Sequence, residues 1–259
     1  MKINIFVATH KKIMKIKNKI YIPLYVGAKD KKKHYGYLCD DMGENISFKN
    51  KNYCELTGMY WIWKNVKTDV IGLVHYRRYF FNDIFSPNYY RLLNARSIKH
   101  ILSGYDVIVP VKTILEGESI SIQYAKEHHI EDLIKCGDII KELEPSYYNS
   151  FKKTIRKKEL YTFNMMICTK ELYDNYMEWL FKILFALENR VDYSDYDTYN
   201  QRLFGFLSER LFNVWLEKNS NIKIKEMPVY NLEKNIDEQR KNYIIQKVKG
   251  LITSNLHKK

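Results

Sequence analysis

The sequence predicts an α/β fold with a central, mostly parallel sheet. Three observations carry that expectation. Short apolar, β-branched runs recur along the chain and several end abruptly in polar clusters. Segments of helical periodicity separate those runs, which suits parallel strands joined by crossover helices. No repeat or low-complexity linker interrupts the alternation, so one domain with a helical C-terminal part accommodates it.

Residues 3–8 (INIFVA) read as a buried strand that opens at Thr9-His10-Lys11 into a polar loop. Residues 20–26 (IYIPLYV) read as a second strand, at a sheet edge because Pro23 lacks a ladder donor, with Gly27 closing it. A long polar loop follows over 29–50, and residues 50–65 fit one helix with Leu56, Met59, Tyr60 and Trp63 at helical spacing. Residues 70–74 (VIGLV) form the most apolar run, a central strand ending in His75-Tyr76-Arg77-Arg78. Residues 106–109 give another strand before Pro110, and 120–143 a helix broken around Gly137. Residues 160–168 read as one strand, 170–188 as an amphipathic helix, 198–218 as a second long helix and 222–229 as a last strand. The domain so defined spans 1–234. Residues 235–259 differ in composition, being basic with Ile244, Ile245, Val248 and Leu251 at helical spacing, and form a candidate C-terminal appendage.

Composition narrows the function classes. Hydrophobic residues make up 46% of the 259 and charged residues 28%, the balance of a folded enzyme rather than a disordered chain. No apolar run approaches the roughly 20 residues that cross a bilayer. The N-terminal run lacks a long apolar core and a small-residue cleavage site, so a cytoplasmic protein is expected. Cys39, Cys54, Cys136 and Cys168 lie far apart without a C-x-x-C pair, which argues for reduced thiols over zinc or disulfides.

Forty-three Lys and Arg against 30 Asp and Glu leave a net charge of +13, which favours polyanionic partners. Clusters such as Lys31-Lys32-Lys33 and Lys152-Lys153 also suit solvated faces. A nucleic-acid-binding module is the alternative, supported by the charge and 22 tyrosines. Against it, no such motif is present and the aromatics fall inside apolar periodic segments, so no nucleic-acid partner is expected. A metal-dependent hydrolase would need a spaced His and Asp cluster, which the sequence lacks.

Ligands of open α/β sheets bind beyond the carboxyl ends of strands. That singles out Thr9, His10 and Lys11 after the first strand, and His75, Tyr76, Arg77 and Arg78 after the VIGLV run. Paired guanidinium forks suit a diphosphate. The competing expectation is that successive residues point to opposite faces, so that one arginine faces the cleft while the other meets a carboxylate. The loop over 40–47, with Asp41 and Asn45, could hold a general base or a ribose, or cap the next helix through Ser47.

Residues 37–80 (YLCDDMGENISFKNKNYCELTGMYWIWKNVKTDVIGLVHYRRYF) closely resemble a bacterial family of capsular and exopolysaccharide glycosyltransferases, long catalogued as a domain of unknown function and including galactofuranosyltransferases. The pattern continues in IFVATHK at 5–11, in Tyr25-Val26-Gly27-Ala28, in Phe163-Asn164-Met165 and in RLFGFLSERL at 202–211, up to about residue 230. The block around Glu55-Leu56-Thr57-Gly58 and His75-Tyr76-Arg77-Arg78 is the most specific part.

The resemblance implies a GT-A-like fold, a single Rossmann-like domain, and a UDP-sugar donor, with galactofuranose or its N-acetylated form as leading guess. It also implies a lipid-linked oligosaccharide or polysaccharide acceptor. On that reading Thr9, His10 and Lys11 border the nucleotide, Asp41 and Asn45 contact its base or ribose, and Asn164 faces the sugar. Glu209 and Arg210 line the same cleft from a helix, and His129, Asp132 and Arg202 join the acceptor side.

GT-A enzymes usually place Asp-x-Asp at the middle strand end to hold Mn²⁺ or Mg²⁺. Here that position carries His75-Tyr76-Arg77-Arg78, so no cofactor is expected and arginine charge is expected to meet the leaving diphosphate. The Asp195-Tyr196-Asp197 triplet instead suits helix capping. For an inverting transfer, Asp41, Glu209 and Asp132 are the candidate proton acceptors. The basic tail is expected either to pack on the domain or to make peripheral contact with an anionic inner membrane.

Overall fold

The computed structural model describes residues 1–29, 31–83 and 91–256, so Lys258 and Lys259 of the basic stretch lie outside the described residues. β1 (Ile3–Thr9) sits in the middle of the sheet because both of its faces are apolar. Ile3, Ile5 and Val7 join one hydrophobic cluster, and Phe6 and Ala8 the other. β2 (Tyr21–Tyr25) pairs parallel to it, with Ile5 opposite Tyr21. β3 (Leu38–Cys39) adds on the far side of β2, so the true edge is this two-residue strand and not the one carrying Pro23.

Residues 50–65 do not form one helix. α1 (Asn50–Tyr53) and α2 (Leu56–Asn65) are separated by Cys54, whose φ of 52° breaks the ladder. β4 (Val70–His75) then pairs parallel with β1. It has glycine at position 72 because a Cβ there would come within 2.5 Å of Ile5 Cδ1 and 2.9 Å of Ile167 Cγ1. A tight turn at Tyr76 and Arg77 leads into β5 (Arg78–Phe80), antiparallel to β4.

α3 (Ala95–Leu102) precedes β6 (Val107–Pro110), and the short β7 (Thr113–Ile114) leads to α4 (Ile120–Glu127) and α5 (Ile130–Leu143). The helical break lies at extended His128 and His129, not at Gly137. Gly137 is inside α5, where the Phe151 ring would lie 2.5 Å from a Cβ: it is a packing glycine rather than a breaker. α6 (Tyr148–Thr154) follows, and the expected strand over 160–168 is split into β8 (Glu159–Leu160) and β9 (Met166–Thr169) by a left-handed turn at Phe163 and Asn164.

α7 (Lys170–Glu188) matches its expected bounds, with Thr169 capping the Leu172 N–H. The second long helix is shorter than expected, starting as a 3₁₀ turn over 200–202 before α8 (Leu203–Lys218). The last strand is two, β10 (Ile224–Met227) and β11 (Val229–Asn231), divided at Pro228. α9 (Ile236–Leu256) ends the described chain.

Along the sheet the order is β10-β6-β9-β4-β1-β2-β3, with β11 and β5 branching from β4. Along this main path only β9 opposes its neighbours, so the path is mostly parallel, while the β5–β11 branch is antiparallel. α2, α5, α7 and α8 cover one face through the larger cluster, while β5, β11 and α3 close the other. Among the described residues no helix is long and apolar enough to cross a membrane. The carboxyl ends of β1 and β4 are neighbours, with Ala8 opposite His75, and both open on the same edge.

Candidate active site at the ends of β1 and β4

The β4–β5 turn is placed by backbone: the Tyr76 N–H donates to Ala8 O at 3.0 Å, and Leu232 N–H donates to Arg77 O at 2.8 Å. Thr9 stabilises its own turn, its hydroxyl donating to Lys11 O at 2.8 Å. The Tyr76 ring is the hub of the cationic rim. His10 meets it edge-on at 5.2 Å, Lys11 Nζ lies 4.4 Å above it and Arg77 5.3 Å from its centroid. Partial burial, then the charges of Lys11 and Arg77, lower the His10 pKa, so this imidazole stays neutral near pH 7.

The two arginines part because Arg77 lies in the turn while Arg78 opens β5. Arg77 turns to Glu233, with NH1 3.9 Å from Oε2, while Arg78 lies 4.6 Å over the Phe163 ring. Burial and the Arg77 charge lower the Arg78 pKa, and the carboxylates of Glu209 and Glu55 oppose that shift. Arg78 thus lies on the side of the Phe163 turn, within electrostatic reach of Glu209 and Glu55.

The floor of the cleft is organised by the Phe163–Asn164 turn. Both residues have positive φ, 77° and 50°. For Phe163, which has no local compensation for a left-handed backbone, this stores on the order of 1–3 kcal/mol. Two groups hold it: His75 Nε2 donates to Phe163 O at 2.7 Å, and Phe163 N–H donates to Glu209 Oε1 at 2.7 Å. Asn164 Nδ2 then donates to Glu55 Oε1 at 2.8 Å, while its Oδ1 is buried with no partner among the described residues.

Glu55 reaches this point because the helix breaks at Cys54. Gly205 on α8 faces this break, where a Cβ would sit in ordinary van der Waals contact with Cys54, 3.4 Å from its Sγ. Burial pushes the Cys54 thiol up to about 11, which makes it a poor nucleophile; Arg202 Nε lies 3.1 Å from its sulfur. Arg202 thus meets the helix break.

Glu209 has both oxygens engaged, the second by Arg210 NH1 at 3.2 Å, and Arg210 NH2 continues to Gln123 Oε1 at 2.7 Å. Burial raises the Glu209 pKa, with Arg210 opposing. His75 is shifted the other way, lowered chiefly by burial.

Other expected residues lie apart from this cluster. Asn45 spends its amide on Asp41 O and Gly43 O within its own loop. That loop runs down α2, with Trp61 Nε1 donating to Met42 O and the Glu44 N–H to Asn65 Oδ1. Asn45 is thereby held within its own loop, while Asp41 lies two residues beyond the carboxyl end of β3. The neighbour that matters for order is Asp40, fully buried, which accepts from the Gly27 and Ala28 N–H groups and from the Ser47 and Thr57 hydroxyls.

His129 and Asp132 form a separate group at the α4–α5 junction. His129 stacks on Tyr196 at 3.8 Å, and Tyr196 OH donates to Asp132 Oδ1 at 3.0 Å. Asp197 accepts from the Tyr199 and Asn200 N–H groups at 2.8 Å, the capping role expected of that triplet. Among the described residues no group of three or more His, Cys, Asp or Glu is arranged to hold a metal.

Sequence reasoning missed Glu55 as a site residue, because helical periodicity runs unbroken through 50–65; only the family resemblance marked the block that contains it. It also missed an aromatic nest beyond β2. Tyr25 closes that strand beside His34 and Tyr35, with ring centroids at 5.4 and 6.2 Å, and Tyr37 lies 5.9 Å from Tyr35. Tyr25 is opposite Thr9, so the nest borders the same edge as the cationic rim.

The family described as Domain of unknown function (DUF4422) matches residues 4–220. Among solved structures, one titled "WbbM bifunctional glycosytransferase apo structure" superposes with a TM-score of 0.84 at 29% identity. The match covers 90% of this chain and 46% of that one, so this chain spans less than half the length of that protein. No curated protein matches the chain.

Proposed function

This chain belongs to the family described as Domain of unknown function (DUF4422), and we propose that it is a glycosyltransferase that uses a nucleotide-sugar donor. The carrying observation is one juxtaposition. A cationic strand end (Lys11, Arg77, Arg78) stands beside a carboxylate–amide pair (Glu55, Asn164) across a strained turn. Fixed positive charge suits a leaving diphosphate, and a carboxylate suits removal of a hydroxyl proton. The similarity to a solved glycosyltransferase supports the same reading.

In this proposal the donor is a UDP-sugar, with galactofuranose or N-acetylgalactofuranose favoured by the family resemblance. Its base lies against Tyr25 and Tyr35, and its diphosphate on Lys11, Arg77 and Arg78. The acceptor, a lipid-linked oligosaccharide or polysaccharide, enters from the side of Arg202 and the α4–α5 junction. Its hydroxyl oxygen forms the new bond to the anomeric carbon as the bond to the diphosphate breaks. The proton passes to Glu55, and the negative charge on the departing oxygen is met by Arg78.

Glu55 is preferred to Glu209 because the two oxygens of Glu209 already hold Phe163 and Arg210, whereas Glu55 Oε1 takes one amide. Glu209 then fixes the turn that presents Asn164. Transfer in this scheme inverts the anomeric centre and relies on arginine charge without a divalent cation. We place the reaction in the cytoplasm, at an anionic membrane face. Ile244, Ile245 and Val248 on α9 are each about half exposed, next to Lys241, and could rest among headgroups while Gln239 and Gln246 tie the helix to the domain.

Thermal unfolding with UDP, ADP and GDP tests the donor reading. A ligand at a hundred times its Kd stabilises by about 2.7 kcal/mol, and UDP should raise the melting temperature most. Equal or absent shifts with all three refute a uridine nucleotide donor.

A further inference from the structure

Lys11 and Arg77 project from adjacent strand ends toward the proposed diphosphate position, yet one carboxylate already holds both. Glu233 Oε1 lies 2.9 Å from Lys11 Nζ, and its Oε2 lies 3.9 Å from Arg77 NH1. The backbone delivers Glu233 to this place. Leu232 N–H donates to Arg77 O, the Glu233 N–H donates to Asn231 Oδ1 at 3.0 Å, and Gln239 of α9 clamps Asn231 through both its N–H and its carbonyl.

The backbone is fixed but the carboxylate is not. Its side chain is 48% exposed, and those of Lys11 and Arg77 are 45% and 38% exposed. Ion pairs in such surroundings are screened and contribute little, so a more highly charged ligand can break them. A diphosphate brings more negative charge and more acceptor oxygens to the same two cations.

Resting on the donor reading above, we propose that Glu233 is an internal competitor for the donor diphosphate. It occupies the Lys11–Arg77 pair until a nucleotide diphosphate displaces it, and returns when the product leaves. This arrangement keeps both cations aimed at the phosphate position, because a partner on each limits their rotamers. It also sets a threshold: a singly charged anion gains nothing by exchange with a carboxylate already in place, while a diphosphate does. After transfer, Glu233 helps expel the nucleoside diphosphate.

Calorimetric titration of the full chain with UDP, and separately with inorganic pyrophosphate, tests this. The variants are E233Q, K11A, the K11A/E233Q double, and E238Q as a control that removes a charge five residues further along α9. E233Q should bind both ligands about three- to tenfold more tightly than the wild type, the size expected from losing weak exposed pairs. The gain should shrink in the K11A background, because the competitor acts through that lysine. E238Q should leave affinity unchanged.

Weaker or equal binding by E233Q overturns the proposal, and weaker binding would mark Glu233 as a residue that positions Lys11 for the ligand. An equal gain from E238Q, or a full gain retained without Lys11, also overturns it, since the effect would then be long-range charge. A wild type that binds neither ligand refutes the donor reading itself, whereas a wild type that binds both with E233Q no tighter refutes only the competitor. Melting curves of E233Q coincident with wild type show that affinity is being compared on the same fold.

Discussion

The rim and the floor of the cleft are built on opposite principles. At the rim, Lys11, Arg77 and Glu233 are each more than a third exposed and meet through a single carboxylate. On the floor, His75, Glu55, Asn164, Glu209 and Arg210 bind one another or the Phe163 backbone, and a left-handed turn is held against its own preference. An exposed rim can rearrange as a charged ligand arrives. A floor held by internal hydrogen bonds rearranges less readily, and in the proposed reaction that would hold the Glu55 carboxylate against the reacting centre. The division suggests that donor affinity resides mainly in the rim and the chemical step mainly in the floor.

The largest expected effect comes from the floor. Glu55→Gln keeps an acceptor for Asn164 but removes the base, so turnover should fall about 10²- to 10⁴-fold with donor affinity unchanged. Glu209→Gln should lose less activity and lower the melting temperature, because one anchor of the Phe163 turn weakens. Initial rates and UDP titrations on both variants check this; the reverse order of activities would make Glu209 the base.

A smaller effect is expected where rim and floor meet. Arg78→Ala should cost about 2–4 kcal/mol of transition-state stabilisation, and Lys should restore little of it for want of the planar fork. Arg77→Ala should cost less and act mainly on donor KM. The same assays run in EDTA should proceed at the untreated rate. Equal losses from the two arginines would dissolve the distinction, and activity lost in EDTA and restored by Mn²⁺ would replace arginine charge with a cation.

The smallest effect concerns stability against pH. Burial lowers the pKa of both His75 and His10, so the folded protein favours their neutral forms. The stability they contribute is present above the unfolded value of about 6.5 and is lost as pH falls through the lower folded values. Glu209 has the opposite sign: its raised pKa contributes stability that is present below the unfolded value of about 4.3 and is lost as pH rises. Melting temperatures should therefore drop between pH 7.5 and 5.5. His75→Gln, which keeps a donor for Phe163 O, should reduce the drop more than His10→Gln. An equal effect of both would mean that floor and rim are solvated alike.

Much of this architecture was legible in the residues themselves. The runs at 3–8 and 70–74, the polar clusters that end them, and the helix over 170–188 all follow from local periodicity, because burial on one or two faces is written into every few residues. The divergence of Arg77 and Arg78 has a different origin from the strand alternation expected, because a turn at Tyr76 and Arg77 separates β4 from β5. Tertiary structure alone decided the rest. Nothing local shows that the chain breaks at Cys54, where the partner of the sulfur is Arg202, 148 positions away in sequence. Asp40 and Asp41 look alike in a string of letters, and only the backbone amides of Gly27 and Ala28 choose between them. Asn164 meets Glu55, and the Phe163 N–H meets Glu209, across hydrogen bonds that span 109 and 46 residues. Periodicity reports which face of an element is buried, but it carries no information about which distant element covers that face, and the floor of this cleft is made entirely of such encounters.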